Sequence, residues 1–216
     1  MCASYGLDPR YSDEELQAFA DAELLANLRA WAEGNSGEVV KPTGKHLRNL
    51  NPIILSPSSL ELAWWGYLVN GQPASFASIN TRSEKLATRD GKLPARAIVP
   101  ASHWREMQKP QRLWHHLALP DDELLTLAAV TRPGRTADGA EFTCYSLVMQ
   151  PAADQIADVH DRMPLLIPAG FADEWLTSDA PAAELIDAAL AAARPTAERI
   201  IATPQGRPAA AAPTLF

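Results

Sequence analysis

Apolar residues recur at helical spacing near the start of the chain. Between residues 13 and 33 these positions are Leu16, Phe19, Leu24, Leu28 and Trp31. They fall on one face of a helix of about 3.6 residues per turn. Ser12 followed by Glu15 has the pattern of a capping box, and Gly34 is a typical terminator. The pattern predicts one helix over residues 13–33.

The pattern changes between residues 53 and 149 to short apolar runs rich in β-branched and aromatic residues. These runs are "PIILS", "ELAWWGYLV", "RAIVPA", "LWHHLAL", "LLTLAAVTR" and "EFTCYSLVM". Each is typical of a strand. The segments "PDDE" and "PGRTADGAE" each separate two of the runs, so they predict hairpin connections. Residues 34–52, rich in Gly, Pro, Asn and Lys, predict a basic loop before the strands.

The last third of the chain returns to helical patterns. The candidate helices are "AADQIADVH", "FADEWL" and "APAAELIDAALAAAR", the last ended by Pro195. Residues from about 205 to 216 are rich in Pro and Ala, which predicts a loosely ordered tail. Strands in the middle and helices at both ends predict an α+β fold. We expect a single domain over residues 1–216, with a central antiparallel, barrel-like β-sheet flanked by helices.

The composition is that of an ordinary globular protein. Of 216 residues, 47% are hydrophobic and 21% are charged. There is no apolar run of 18 or more residues and no signal peptide, so we expect a cytoplasmic protein, associated with the nucleoid when it acts on DNA. The two cysteines predict free thiols, and the five histidines form no metal-binding motif. We therefore predict no metal, no cofactor and a monomer.

Charge is distributed unevenly along the chain. The net charge is −7, yet the stretch from Lys41 to Arg112 contains eleven Lys and Arg against four Asp and Glu. Such segregation predicts a basic face that attracts phosphate. Lys41, Lys45 and Arg48 lie in the predicted loop and are candidates for contact with DNA. A solvated loop without a partner remains the alternative.

Cys2 directly follows Met1, which gives it unusual chemistry if Met1 is removed. The residue then carries a free α-amine and a thiol, a pair of groups that condenses with aldehydes. An α-amine has a pKa near 7.7–8.0, so about a tenth of it is neutral at pH 7, far more than of a lysine. Cys144, inside the run "EFTCYSLVM", is expected to be a buried strand residue without chemistry.

Cys2 is the first of four short motifs whose order and spacing carry a family resemblance. The others are Trp65-Gly66 followed by Asn80-x-Arg82-x-Glu84, then Arg96 with Val99-Pro100-Ala101 and Glu106, and last His160-x-Arg162-Met163-Pro164. Together these motifs resemble the SOS response-associated peptidase (SRAP) family, which includes abasic-site-shielding proteins. Ala3 and Ser4 stand where the family usually has Gly-Arg, so we expect one phosphate contact fewer and weak binding of undamaged single strands.

The resemblance implies a protein that binds single-stranded DNA containing abasic sites and forms a covalent thiazolidine crosslink through Cys2. Glu106 would act as general acid and base, Asn80 would orient the amine, and His160 would transfer a proton at the departing hydroxyl. Four residues are thus implied as catalytic: Cys2, Asn80, Glu106 and His160. The candidates for DNA contact are Arg82, Arg162, Trp65, Lys45, Arg48, Met163 and Pro164. Arg82 and Arg162 are expected to bind phosphate, Trp65 to stack on a base, and Trp64 to face the core.

Two other functions remain open from the residues. The first is an N-terminal-cysteine amidohydrolase or peptidase, in which the amine serves as base for the thiol. The second is a non-catalytic nucleic-acid-binding module. The family name also implies proteolytic removal of whatever precedes Cys2, although a methionine aminopeptidase can remove Met1 as well.

Overall fold

The strands of the middle of the chain form the centre of the fold in the computed structural model, which describes residues 2, 4–35, 50–69, 71–74, 78–135 and 138–205. The strands of the described part are β1 (Tyr5–Gly6), β2 (Leu50–Ser56), β3 (Ser59–Trp65), β4 (Leu68–Val69), β5 (Gln72–Pro73), β6 (Asn80–Arg82), β7 (Arg96–Ala101), β8 (His103–Gln108), β9 (Leu113–Ala118), β10 (Leu125–Arg135), β11 (Glu141–Pro151), β12 (Arg162–Pro164) and β13 (Ile201–Pro204). The helices are α1 (Glu14–Gln17), α2 (Ala22–Gly34), α3 (Ser83–Ala87), α4 (Ala169–Thr177) and α5 (Ala182–Ala197). None of these helices has the length and apolar character needed to cross a membrane.

Five strands close into a barrel. Each of β10, β7, β2, β3 and β11 pairs with the next in that order, and β11 pairs again with β10. Every pairing in the ring is antiparallel except that of β3 with β11, which run parallel with Trp65 opposite Tyr145. The α+β fold with a barrel-like sheet is therefore confirmed, and the barrel is mixed rather than wholly antiparallel.

The second half of β11 leaves the barrel ring and takes two new neighbours. Strand β6 pairs with it in parallel on one side, with Asn80 opposite Leu147 and Arg82 opposite Met149. Strand β12 pairs with it antiparallel, with Arg162 opposite Pro151. Two motifs that are about 80 residues apart in sequence are thereby held at one end of a single strand.

A second sheet of four antiparallel strands, in the order β1, β8, β9 and β13, carries another motif. Tyr5 lies opposite Trp104, and Glu106 lies two positions farther along β8. This pairing holds the amino-terminal strand against the strand that contains Glu106.

Arg96 attaches helix α4 to the barrel. Its guanidinium is buried and donates to the backbone carbonyls of Trp175, Leu176 and Ser178 at the end of that helix. The carbonyls at a helix end carry partial negative charge, so a cation there is favourable. Burial lowers the pKa of Arg96. The indole of Trp175 donates in return to the carbonyl of Ala97 at 3.1 Å.

The structure corrects the prediction of one helix over residues 13–33. A turn at residues 18–20 separates α1 from α2, and α2 has its own N-cap at Asp21, whose carboxylate accepts from the Leu24 N–H at 2.8 Å. The predicted capping box at Ser12 is wrong, because the N-cap of α1 is Asp13 and it makes no side-chain cap. The apolar spacing continues across the break, so periodicity alone did not reveal it.

Three further predictions in the second half of the chain are wrong. Helix α5 continues past Pro195 to Ala197, since the Glu198 N–H still reaches the Arg194 carbonyl at 3.0 Å. The segment "AADQIADVH" forms only a 3-10 turn over Asp154–Ile156. "PDDE" is not a hairpin, because β9 and β10 belong to different sheets, whereas β10 and β11 do pair as predicted.

Candidate active site

Cys2 is buried at the start of the chain and is held by a residue from the barrel. Its side chain has no exposed surface, and the thiol lies 3.7 Å from the Ser4 carbonyl. The side-chain amide of Asn80 donates to the Cys2 carbonyl at 2.6 Å. Strand β6 therefore fixes the backbone of the residue whose amine and thiol are in question.

Glu106 reaches the same place from β8. The Arg105 N–H donates to the Ser4 carbonyl at 2.9 Å, which sets the next residue, Glu106, beside the amino-terminal strand. The side chain is buried, and burial raises the pKa of the Glu106 carboxyl to about 7, against the opposing positive charge of the chain's amino terminus. Burial, followed by the charge of Glu106, raises the pKa of the Cys2 thiol far above its usual value. Near neutral pH the site thus contains a protonated thiol and a carboxyl that can give or take a proton.

His160 faces the same terminus from the loop before β12. Burial and the positive charge of the amino terminus lower the pKa of this imidazole, and Asp161 partly offsets them. Its Nδ1 accepts from the Arg162 N–H at 3.0 Å, which favours the neutral tautomer with the proton on Nε2. The Asp161 carboxylate is 2.9 Å from the same Nδ1 and forms an ion pair with it only when the ring is protonated.

The two arginines expected to bind phosphate differ in their surroundings. Arg82 is exposed at the start of α3. Arg162 is mostly buried and donates to Glu84 at 2.5 Å. Burial raises the pKa of Glu84, but its own backbone N–H and Arg162 outweigh burial and leave that pKa below its usual value. Glu84 therefore neutralises part of the charge that Arg162 could offer to a phosphate.

The expectation that Trp65 stacks on a base is wrong. Trp65 has no exposed surface, its ring stacks on Tyr145 with centroids 6.4 Å apart, and its indole donates to the Ile79 carbonyl. Trp64 is the partly exposed member of the pair, so the inward and outward sides of β3 are the reverse of the prediction. The alternation of the strand was recognised, but nothing in "AWWGYL" shows which parity faces the core.

Met163 and Pro164 are also buried, which corrects their assignment to DNA contact. Both lie on β12 against β11, where they position Arg162 and the loop of His160. Cys144 is buried in β11, as expected. Lys41, Lys45 and Arg48 lie outside the described residues.

A buried polar chain near Cys2 was missed in the sequence. The hydroxyls of Tyr5 and Tyr145 are 2.6 Å apart, and Asn51 donates to the Tyr145 hydroxyl at 2.9 Å. Cys2 is near enough to raise the pKa of both tyrosines, after the larger effect of burial. Nothing in the spacing of these three residues along the chain indicates that they meet. In the part of the chain that the structure describes, no group of three His, Cys, Asp or Glu side chains is placed to hold a metal ion.

Comparison with known sequences assigns the family. The family model described as SOS response associated peptidase (SRAP) matches residues 3–204, nearly the whole chain. The chain belongs to the SRAP family. Solved structures support the SRAP fold: a crystal structure of a protein from Bordetella bronchiseptica covers 95% of this chain and 100% of that one, with a TM-score of 0.64 and 18% identity. A protein from Bacteroides thetaiotaomicron covers 94% and 91%, with a TM-score of 0.65 and 12% identity.

Curated relatives of this SRAP chain are more distant in sequence. It is 25% identical to the abasic site processing protein YobE of Bacillus subtilis over 123 residues, which are 52% of this chain and 56% of the relative. It is 27% identical to the abasic site processing protein YoqW of the same organism over 123 residues, 52% and 54% of the two chains. The chain spans about half the length of the curated relatives that it matches.

Proposed function

We propose that this protein captures abasic sites in single-stranded DNA as a covalent thiazolidine on Cys2, after Met1 is removed, and so shields them from strand cleavage. Its SRAP relatives bear the name abasic site processing protein, which supports the choice of substrate. The family assignment and the chemistry of the site support the same reaction independently.

The observation that carries the proposal is the hydrogen bond from Asn80 to the Cys2 carbonyl, beside the buried Glu106. It holds residue 2 at a fixed position instead of leaving it at a frayed terminus. Intramolecular positioning of this kind raises the effective concentration of the reacting groups by orders of magnitude. A terminal aminothiol held next to a carboxyl with a pKa near 7 is suited to attack on an aldehyde.

The first bond forms between the α-amine of Cys2 and the aldehyde carbon of the opened sugar. The amine loses a proton and the carbonyl oxygen gains one, which gives a carbinolamine. The hydroxyl then departs as water when an acid protonates it, and an imine remains. Glu106 can supply that proton and receive the one from the amine, because its pKa lies near neutral pH. His160, with its proton on Nε2, is a second donor at the departing hydroxyl.

The second bond forms between the Cys2 sulfur and the imine carbon. The thiol proton moves to the imine nitrogen, so the product is a five-membered thiazolidine and the net loss is one water. The raised pKa keeps the thiol protonated at the outset, so the amine is the first nucleophile, and the sulfur adds afterwards to the imine carbon. The same property disfavours the amidohydrolase alternative, which requires a thiolate nucleophile. Arg82 and Arg162 would contact the flanking phosphates.

A denaturing gel with a single-stranded oligonucleotide that contains one abasic site tests the proposal. The wild-type protein without Met1 should give a shifted band that survives heating. Cys2→Ser keeps the amine and should give an imine, trapped by borohydride but lost on heating without it. A matched oligonucleotide with an intact base serves as control, and no band should appear.

Two results would contradict the proposal. One is the absence of any shifted band from protein whose mass shows that Met1 is gone. The other is a heat-stable band of equal yield from Cys2→Ser, which would exclude the thiazolidine.

A further inference from the structure

The hairpin of β8 and β9 has two faces with different compositions. One face points inward and carries Trp104, Glu106 and their partners across the hairpin, Leu117 and His115, all buried. Because side chains alternate along a strand, the residues between these lie on the other face. We call this the outer face; its larger side chains are His103, Arg105, Met107, Trp114 and His116.

An exposed tryptophan stands on the outer face. Trp114 retains 46% of its surface in contact with solvent and lies directly opposite Met107 on the neighbouring strand. Met107 adjoins Glu106 in sequence, and its side chain lies on the opposite face of β8. An indole left half exposed on a regular strand is a common feature of binding surfaces, whereas scattered single aliphatic residues are not.

A guanidinium without a carboxylate partner among the described residues lies on the same face, diagonal to Trp114 across the hairpin. Arg105 is opposite His116, its Nε is buried without a hydrogen bond, and no carboxylate pairs with it among the described residues. The strands of this sheet place no acidic side chain on the outer face. In a protein with a net charge of −7, this face therefore carries one guanidinium and no carboxylate.

The two imidazoles of the outer face, His103 and His116, lie close enough to Arg105 for its charge to affect their pKa values. Their rings stack with centroids 4.3 Å apart and planes at 25°. Burial and then the charges of His116 and Arg105 lower the pKa of His103 to about 4, and burial followed by Arg105 lowers the pKa of His116. Asp8, in the adjoining loop, acts on His103 in the opposite direction, but its carboxylate accepts three hydrogen bonds from Arg10.

We propose that the outer face binds single-stranded nucleic acid, with a base stacked on Trp114 and a phosphate on Arg105. The proposal rests on the proposed function, since it assigns a path to the nucleotides beside the captured site. A ligand that is both anionic and aromatic matches an unpaired guanidinium next to an exposed indole. The face would also supply a phosphate contact in a chain whose Arg162 is already paired with Glu84.

Fluorescence anisotropy with a labelled, undamaged single-stranded oligonucleotide tests the outer face without any covalent chemistry. Trp114→Ala and Arg105→Ala should each raise Kd by about fivefold or more, as expected for the loss of a stacked base or a phosphate contact. Arg105→Ala should also make the slope of log affinity against log salt shallower by about 0.7. Trp114→Phe keeps an aromatic ring and should stay within about twofold of the wild type. Arg135→Ala removes an exposed arginine elsewhere and should behave as wild type.

The test separates this proposal from the proposed function. If the wild type forms no crosslink with an abasic oligonucleotide while Trp114→Ala still loses affinity, the crosslinking chemistry fails and the outer face stands. If Trp114→Ala and Arg105→Ala bind the undamaged strand as the wild type does, the outer face is not a nucleic-acid site. If these two variants sediment differently from the wild type but bind DNA equally well, the outer face is an interface between copies of the chain, and the proposal is also overturned. If Trp114→Ala does not fold, Trp114→Thr is used in its place, because threonine is favoured in strands and also lacks an aromatic ring.

Discussion

The side-chain amide of Asn80 donates a hydrogen bond of 2.6 Å to the backbone carbonyl of Cys2, 78 positions away in sequence. The bond joins the amino-terminal strand to the end of the barrel strand β11, against which Asn80 is paired. Through this bond the barrel holds the backbone of Cys2 in place.

Asn80→Ala should slow crosslink formation by about 10- to 100-fold. The substitution removes a hydrogen bond worth about 1 kcal/mol and frees residue 2, and small displacements of a reacting group can cost about 100-fold. The rate is measured by quenching samples of an abasic oligonucleotide reaction onto a denaturing gel. Asn35→Ala is the matched control, because its amide makes a 2.6 Å bond to a carbonyl at the end of α2. Equal rates in both variants would contradict the role of Asn80.

Glu106→Gln should change how stability depends on pH. The unfolded carboxyl loses its proton near 4.5, while the folded one keeps it until about 7. The folded state therefore binds more protons between these values, and the free energy of unfolding of the wild type falls as pH rises through this window. The loss amounts to roughly 3 kcal/mol and should be absent in Glu106→Gln. Urea unfolding at pH 4, 5, 6 and 7 checks it, and parallel pH profiles would show that Glu106 titrates normally.

Glu84→Gln should strengthen binding to undamaged single strands. The substitution removes the carboxylate that pairs with Arg162 at 2.5 Å and leaves that guanidinium free for phosphate. The slope of log affinity against log salt should steepen by up to about 0.7. Glu141→Gln, which releases the exposed Arg135, is the control and should change neither affinity nor slope. Unchanged binding in Glu84→Gln would place the DNA away from Arg162.

Trp65→Ala should destabilise the fold and not act specifically on DNA binding. Its ring is fully buried against Tyr145, so the loss is expected to be about 3–5 kcal/mol. Trp64→Ala, next to it but partly exposed, should cost clearly less. Chemical denaturation measures both. A folded Trp65→Ala with normal stability and weakened DNA binding would restore the stacking role that the structure contradicts.

The sequence predicted the order and class of the elements better than their partners. Apolar runs identified most of the barrel strands, because strands buried on both faces are mostly apolar, as β7 is after Arg96. Which strands pair with each other was harder to predict from the sequence. Strand β6 is only three residues long, so its composition and spacing do not predict a strand. The parallel pairing of β11 with β3 also has no local signal in the sequence.

For the candidate site, too, the sequence predicted individual residues better than the contacts between them. Asn80, Glu106 and His160 were predicted together, because the order and spacing of the four motifs carry the family resemblance and each motif alone is weak. The Tyr5–Tyr145 contact and the buried state of Trp65 depend on which side of a strand faces inward, and that is decided by packing between elements. The ion pair between Arg162 and Glu84 joins two motifs in space and could not be inferred from either alone.

The burial of Cys2 has a consequence for the timing of protein synthesis. Strand β1 is completed by β8, whose Trp104 emerges from the ribosome about a hundred residues after Tyr5. At about 5–20 residues per second, the amino terminus stays uncovered for roughly 5–20 s. In the folded chain the side chain of Cys2 has no exposed surface. If Met1 is removed as proposed, we expect its removal during that interval, and faster translation shortens the interval.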